Sequence, residues 1–216
     1  MTITSAHISI AVISISLIVG VFAYYLISDL PKEEKKKLVG ELTSQLINFV
    51  IYIWIGKILL KIPLFVQDPL SVLAYPSNSN AFYIAVLFST ITIFIKTRRQ
   101  QLDILVFLNS FLYVFLIASF VYEFIQIVWL NNTTGVPYMV LLSVLIVLLL
   151  FIRNRISTLL VMIIVLNSWI TGTLVLTFLM PYTTVFGYTV APWFLGLCLI
   201  AFLIILLLCK RKNVRR

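Results

Sequence analysis

The sequence predicts an all-α integral membrane protein: a bundle of seven transmembrane helices, N-terminus outside and C-terminus cytoplasmic. Three observations carry this expectation. First, 62% of the 216 residues are hydrophobic, only 11% are charged, and the mean hydropathy is +1.14. An ordinary soluble domain is about 45–50% apolar and about 25% charged. A soluble chain of the present composition would be left with an aggregating apolar exterior, which excludes a soluble enzyme, a disordered chain and a disulfide scaffold. Second, the apolar residues fall into seven runs that do not alternate as barrel strands do. Third, the basic residues concentrate in every second link between those runs.

The runs predict helices at about 8–28, 38–60, 79–96, 104–130, 136–152, 156–180 and 188–209, in a single polytopic domain 1–216. Lipid offers no partner to a free N–H or C=O, so the spans must be helical. About 20 apolar residues are needed to cross. The third and fifth runs are short, and Ser79, Asn80 and Lys96 must extend the third. Met1–His7 carries no Lys or Arg, and no small-x-small site closes the first run. That pattern predicts a retained anchor and no cleaved signal.

Orientation follows from the charges. Lys32, Lys35, Lys36 and Lys37 follow the first run, Lys96, Arg98 and Arg99 the third, and Arg153 and Arg155 the fifth. Lys210, Arg211, Lys212, Arg215 and Arg216 end the chain. Fourteen basic residues thus fall on one side, and only Lys57 and Lys61 on the other. Positive charge marks the cytoplasmic side. The net charge of +9 therefore reads as a topology signal and not as a nucleic-acid surface. The tail KRKNVRR is expected to contact anionic lipid headgroups.

The outer link 61–80 is long and apolar, with Pro63, Pro69 and Pro76 as breakers. It is expected to lie along the interface, or else to re-enter the membrane. Trp54, Trp129 and Trp193 fall near outer ends, as interfacial aromatics do. Small residues align on two runs, Ser9, Ser16, Gly20 and Ala23 on the first and Ala81, Ala85, Ser89 and Thr92 on the third, where helices approach closely.

Polar residues inside the spans are the candidate site, because an ionisable group in hydrocarbon is costly and marks either a pathway or a paired structural contact. On a helical wheel Glu123 shares a face with Asn109 and Tyr113, with Ser119 and Gln126 at its edge. The second run adds Gln45 and Asn48 on a stripe with Glu41 and Tyr52, and the sixth adds Asn167 and Thr171. These stripes are expected to face the bundle interior, with Glu41 either inward or simply solvated beside the lysine cluster. Lys57 and Lys61 are either snorkelling lysines or ion-pair partners of Glu123.

No reaction motif is present. His7 is the lone histidine, and HExxH, GxSxG and Gly-rich phosphate loops are missing. Cys198 and Cys209 lie on one predicted helix, about 16 Å apart, too far for a mutual disulfide. No catalytic residue, metal or cofactor is expected. Asn131 and Asn132 begin overlapping glycosylation sequons in a very short link. Three functions remain: a small-solute or ion transporter or its membrane subunit; a non-catalytic scaffold or assembly partner of another membrane protein; and, more remotely, an intramembrane lipid-modifying enzyme. The composition suits a bacterial cytoplasmic membrane.

Overall fold

The structure, a computed structural model, describes residues 2–69, 72, 78–99, 102–180 and 182–200, with residues 2–10 as backbone only. Among the described residues the structure is α-helical apart from one small hairpin. Its helices are α1 (Thr2–Ile27), α2 (Lys32–Leu60), α3 (Ile62–Gln67), α4 (Ser79–Arg98), α5 (Ile104–Leu130), α6 (Val136–Ile152) and α7 (Thr158–Leu179). A 3₁₀ turn, Thr133–Gly135, precedes α6. The hairpin joins β1 (Thr184–Val185) to β2 (Tyr188–Thr189), and residues 192–200 form α8.

Five helices among the described residues are long and apolar enough to cross a membrane: α2, α4, α5, α6 with its preceding turn, and α7. The apolar part of α1, Ala11–Ile27, is shorter. These are the helices of a multi-pass membrane protein.

The expected limits of the fourth and fifth helices agree with α5 and α6. Others differ for local reasons. Nothing in Thr2–His7 breaks a helix, and α1 begins there. The lysine cluster 32–37 is not a link but the first turns of α2, which starts after Pro31 with Glu33 and Glu34 in its first turn. Acids there complement the positive end of the helix dipole. Asn78 caps α4 by accepting from Ala81 N at 3.0 Å. The seventh predicted helix starts too early, because Tyr188 and Thr189 pair with Val185 and Thr184 in the hairpin. Its end, Cys209 and the basic tail lie outside the described residues. In the 61–80 link, α3 is a short apolar helix with no buried residue.

Helix α5 is the centre of the bundle. It contacts α1, α2, α6 and α7, while α2 packs chiefly on α4 and α7 on α6. Leu116, Leu142, Met162 and Val165 are fully buried where α5, α6 and α7 meet. Small residues set the closest approaches. A β-carbon on Gly20 would come within 2.8 Å of the Val114 carbonyl oxygen, and one on Gly56 within 2.9 Å of the Ala81 carbonyl oxygen. Such contacts replace the hydrophobic effect as the source of helix association in lipid, where tails are as apolar as Leu.

Candidate functional site

The residues around Glu123 are placed by a tight reversal between α5 and α6. Asp103 caps the start of α5, accepting from Leu105 N at 3.1 Å and Val106 N at 3.4 Å. At the other end Asn131 is left-handed, with φ 52°, and Asn132 N donates to Gln126 O at 3.1 Å. Asn tolerates this conformation, and the backbone bonds satisfy the last carbonyls of α5. Asn132 then accepts from Thr134 N at 3.3 Å and from Thr134 Oγ1 at 2.6 Å, which closes the 3₁₀ turn. The sequon asparagines therefore build the turn that lays Gly135 over Glu123.

Glu123 is only 3% exposed. One carboxylate oxygen, Oε2, lies where a side chain on Gly135 would be. The other, Oε1, is buried and has no hydrogen-bond partner. Gly135 is also the N-cap residue of α6, where no side chain caps the helix. The carboxylate thus faces the positive end of the α6 dipole. Beside it Tyr122 accepts from Gln126 Nε2 at 2.9 Å. On α6, Tyr138 is buried and accepts from Trp169 Nε1 of α7 at 3.0 Å. Ser119, one turn before Glu123, is also buried.

The hairpin covers the same end of the bundle. Phe186 and Gly187 have φ 51° and 81° and form its two-residue turn. Two left-handed residues make the turn whose twist matches the strands. Phe186 packs on Tyr122 and Phe115, with ring centroids 5.6 and 6.2 Å apart. Tyr188 stacks on Phe82 of α4 at 4.9 Å. Tyr83 donates to Thr189 O and accepts from Ala191 N, both at 3.0 Å. The hairpin ties α4, α5 and α8 together.

The expected inward polar set is not assembled into one cavity. No hydrogen bond or ion pair joins Glu123, Gln45, Asn48 and Asn167 to one another among the described residues. Gln45 is buried, with neither amide atom hydrogen-bonded. Asn48 and Asn109 are half-buried. Asn167 turns back on its own helix, donating to Ile163 O at 2.8 Å, and Thr171 is exposed. Val161, Met162, Val165, Ile170 and Thr173 are the buried residues of α7; Thr171 falls opposite that face, and Asn167 lies at its edge, half-buried. Thr171 thus does not face the bundle interior as expected.

Among the described residues, no ion pair joins Lys57 or Lys61 to Glu123. Helix α2 turns its buried face, with Gly56, against α4, whereas Glu123 faces the start of α6. Glu41 is paired with Lys96 at 2.9 Å and is not simply solvated. Tyr113 belongs to a second polar group at the opposite end. Its ring lies 6.2 Å from that of Tyr24, whose hydroxyl accepts from Ser110 Oγ at 2.7 Å. Nearby, Arg153 Nη1 donates to Ile27 O at 2.8 Å, and Nη2 lies 3.4 Å from Asp29 Oδ2.

Sequence reasoning missed Tyr138, Gly135 and the hairpin. The signal for Tyr138 was its place at the head of the series Tyr138, Leu142, Leu145 and Leu149, which marks a buried face but does not single out a functional residue. The signal for the hairpin was two short β-branched stretches around Phe186-Gly187, set within apolar sequence that masks them. Among the described residues, no three His, Cys, Asp or Glu side chains lie close enough together to hold a metal ion. Comparison with protein-family models, curated proteins and solved structures found no match.

Proposed function

We propose that the chain crosses a cell membrane seven times, N-terminus outside, and acts as an ion or small-solute transporter, or its membrane subunit, with Glu123 as the proton- or cation-binding group. One observation carries this reading. A carboxyl group in the most buried membrane-length helix has an oxygen with no hydrogen-bond partner, and no ion pair among the described residues includes it. An ionisable group within a membrane-length helix is costly and commonly marks an ion or proton pathway. The Gly135 turn and the Phe186 hairpin are the elements that would open and close over it.

The test is reconstitution of the full chain in liposomes with an internal pH dye and an imposed membrane potential. Flux above that of protein-free vesicles is expected, and Glu123→Gln abolishes it at equal incorporation. Absence of flux from the unmodified protein, or full flux from the variant, overturns the reading.

A specific observation favours a second function. The Glu123 carboxylate faces the uncapped start of α6, where a fixed negative charge is stabilised by the helix dipole. As a structural pin, it would serve a scaffold or assembly partner. In that case a stoichiometric membrane protein copurifies in mild detergent, and Glu123→Gln weakens stability with no flux to lose.

A further inference from the structure

We infer that the groove between α1 and α2 binds an anionic phospholipid, with an acyl chain along the groove and the phosphate on Lys32 and Lys36 at its end. This inference is independent of Glu123. The groove exists because α1 packs on α5 and α2 on α4, so the two consecutive helices touch only narrowly. It has a volume of about 460 Å³, within the ~300–1,000 Å³ range of ligand sites. Its walls are apolar: Leu17, Val21 and Phe22 on one side, and Val39, Leu46 and Val50 on the other. From Val39 to Val50, at ~1.5 Å per residue, it runs about 16 Å, which is about one leaflet of a ~30 Å hydrocarbon core. Its length suits one lipid tail.

The charge at one end selects the lipid. At 100° per residue, Lys32 and Lys36 continue the face of α2 that carries Val39, Thr43 and Val50, with Lys35 at its edge. Glu34 lies on the opposite side and Glu33 about a quarter-turn away. Lys32 and Lys36 are exposed. Lys35 is held at the groove end, donating to Tyr25 O at 3.1 Å with its ammonium 5.4 Å from the Tyr25 ring centroid. Tyr25 itself lines the groove. Ammonium groups bind a phosphate by charge-assisted hydrogen bonds. A zwitterionic lipid offers the same phosphate, but its choline cation cancels the net negative charge and repels the lysines.

The experiment is native mass spectrometry of the full chain, purified in neutral detergent and titrated with phosphatidylglycerol or phosphatidylcholine of matched chains. Phosphatidylglycerol is expected to be retained at least fivefold better. Lys32→Gln and Lys36→Gln each lower its retention about fivefold, whereas Lys37→Gln, on another face, leaves it unchanged. Val21→Trp fills the groove and displaces the lipid with every lysine intact. Soluble glycerophosphate does not compete. Equal retention of the two lipids overturns the inference. So does an equal loss with Lys37→Gln, which means diffuse attraction to a basic surface. No effect of Val21→Trp, or a lipid-free dimer that Val21→Trp dissociates, overturns it as well, the latter because a second copy then fills the groove.

Discussion

Glu123 on α5 and Gly135 at the start of α6 are in direct contact, with a carboxylate oxygen occupying the space where any side chain on residue 135 would begin. Gly135→Ala therefore forces the carboxylate or the turn to move. Overpacking of this kind costs about 1–3 kcal/mol. We expect a lowered unfolding temperature in detergent. We also expect Glu123→Ala/Gly135→Ala to lose less than the sum of the two single losses, because the pair shares one volume. Additive losses would show that the contact is not maintained.

The α2–α4 approach makes a contrasting pair of predictions. Gly56→Val drives its β-carbon into the Ala81 backbone and should cost about 1–3 kcal/mol. Gly40 lies on the same helix with nothing within 4 Å of its would-be β-carbon. Gly40→Ala should stabilise α2 by about 0.5–1 kcal/mol, through lost backbone entropy in the unfolded chain. Thermal unfolding of both variants decides whether the helices meet through residue 56.

Arg153 closes the end of α1 from α6. Its planar fork reaches the Ile27 carbonyl and Asp29 together, which a lysine ammonium does less well. Arg153→Gln should destabilise the chain by about 1–2 kcal/mol, and Arg153→Lys should restore only part of that. Asp29 is 76% exposed, so Asp29→Asn should change stability by no more than about 1 kcal/mol. A larger loss at Asp29 than at Arg153 would reverse the roles assigned to the two residues.

The proposed orientation predicts labelling. With Cys198 and Cys209 replaced, Asn132→Cys in the turn before α6 should react with a membrane-impermeant thiol reagent added outside. Asn154→Cys, after α6, should react only once the inner face is opened. The opposite pattern reverses the topology.

The helices were largely legible along the chain. Asp103 and Asn131 mark the ends of α5, and the turn Asn131–Gly135 and Pro137 mark the start of α6. Less legible was the hairpin, because Val185 and Tyr188 read as part of an apolar run in a sequence made of such runs. Glu123 stood out as a buried acid by its chemistry alone. Its neighbours did not, since Gly135 is ordinary in a link and Tyr138 is one aromatic among many.

What the sequence by itself determined was the class of protein, the helical segments and the distribution of charge between links, because hydropathy and helix length are properties of consecutive residues. Which face of each helix is buried was decided only by the tertiary structure. In water an amphipathic stripe marks the inward side, but a helix in lipid is apolar all round and carries no such mark. Thr171 therefore looked inward and is exposed on α7, while Lys57, for which a pair with Glu123 was one of two alternatives, sits on a helix turned toward α4. Packing around Gly20, Gly56 and Gly135 set those faces, and with them the surroundings of Glu123.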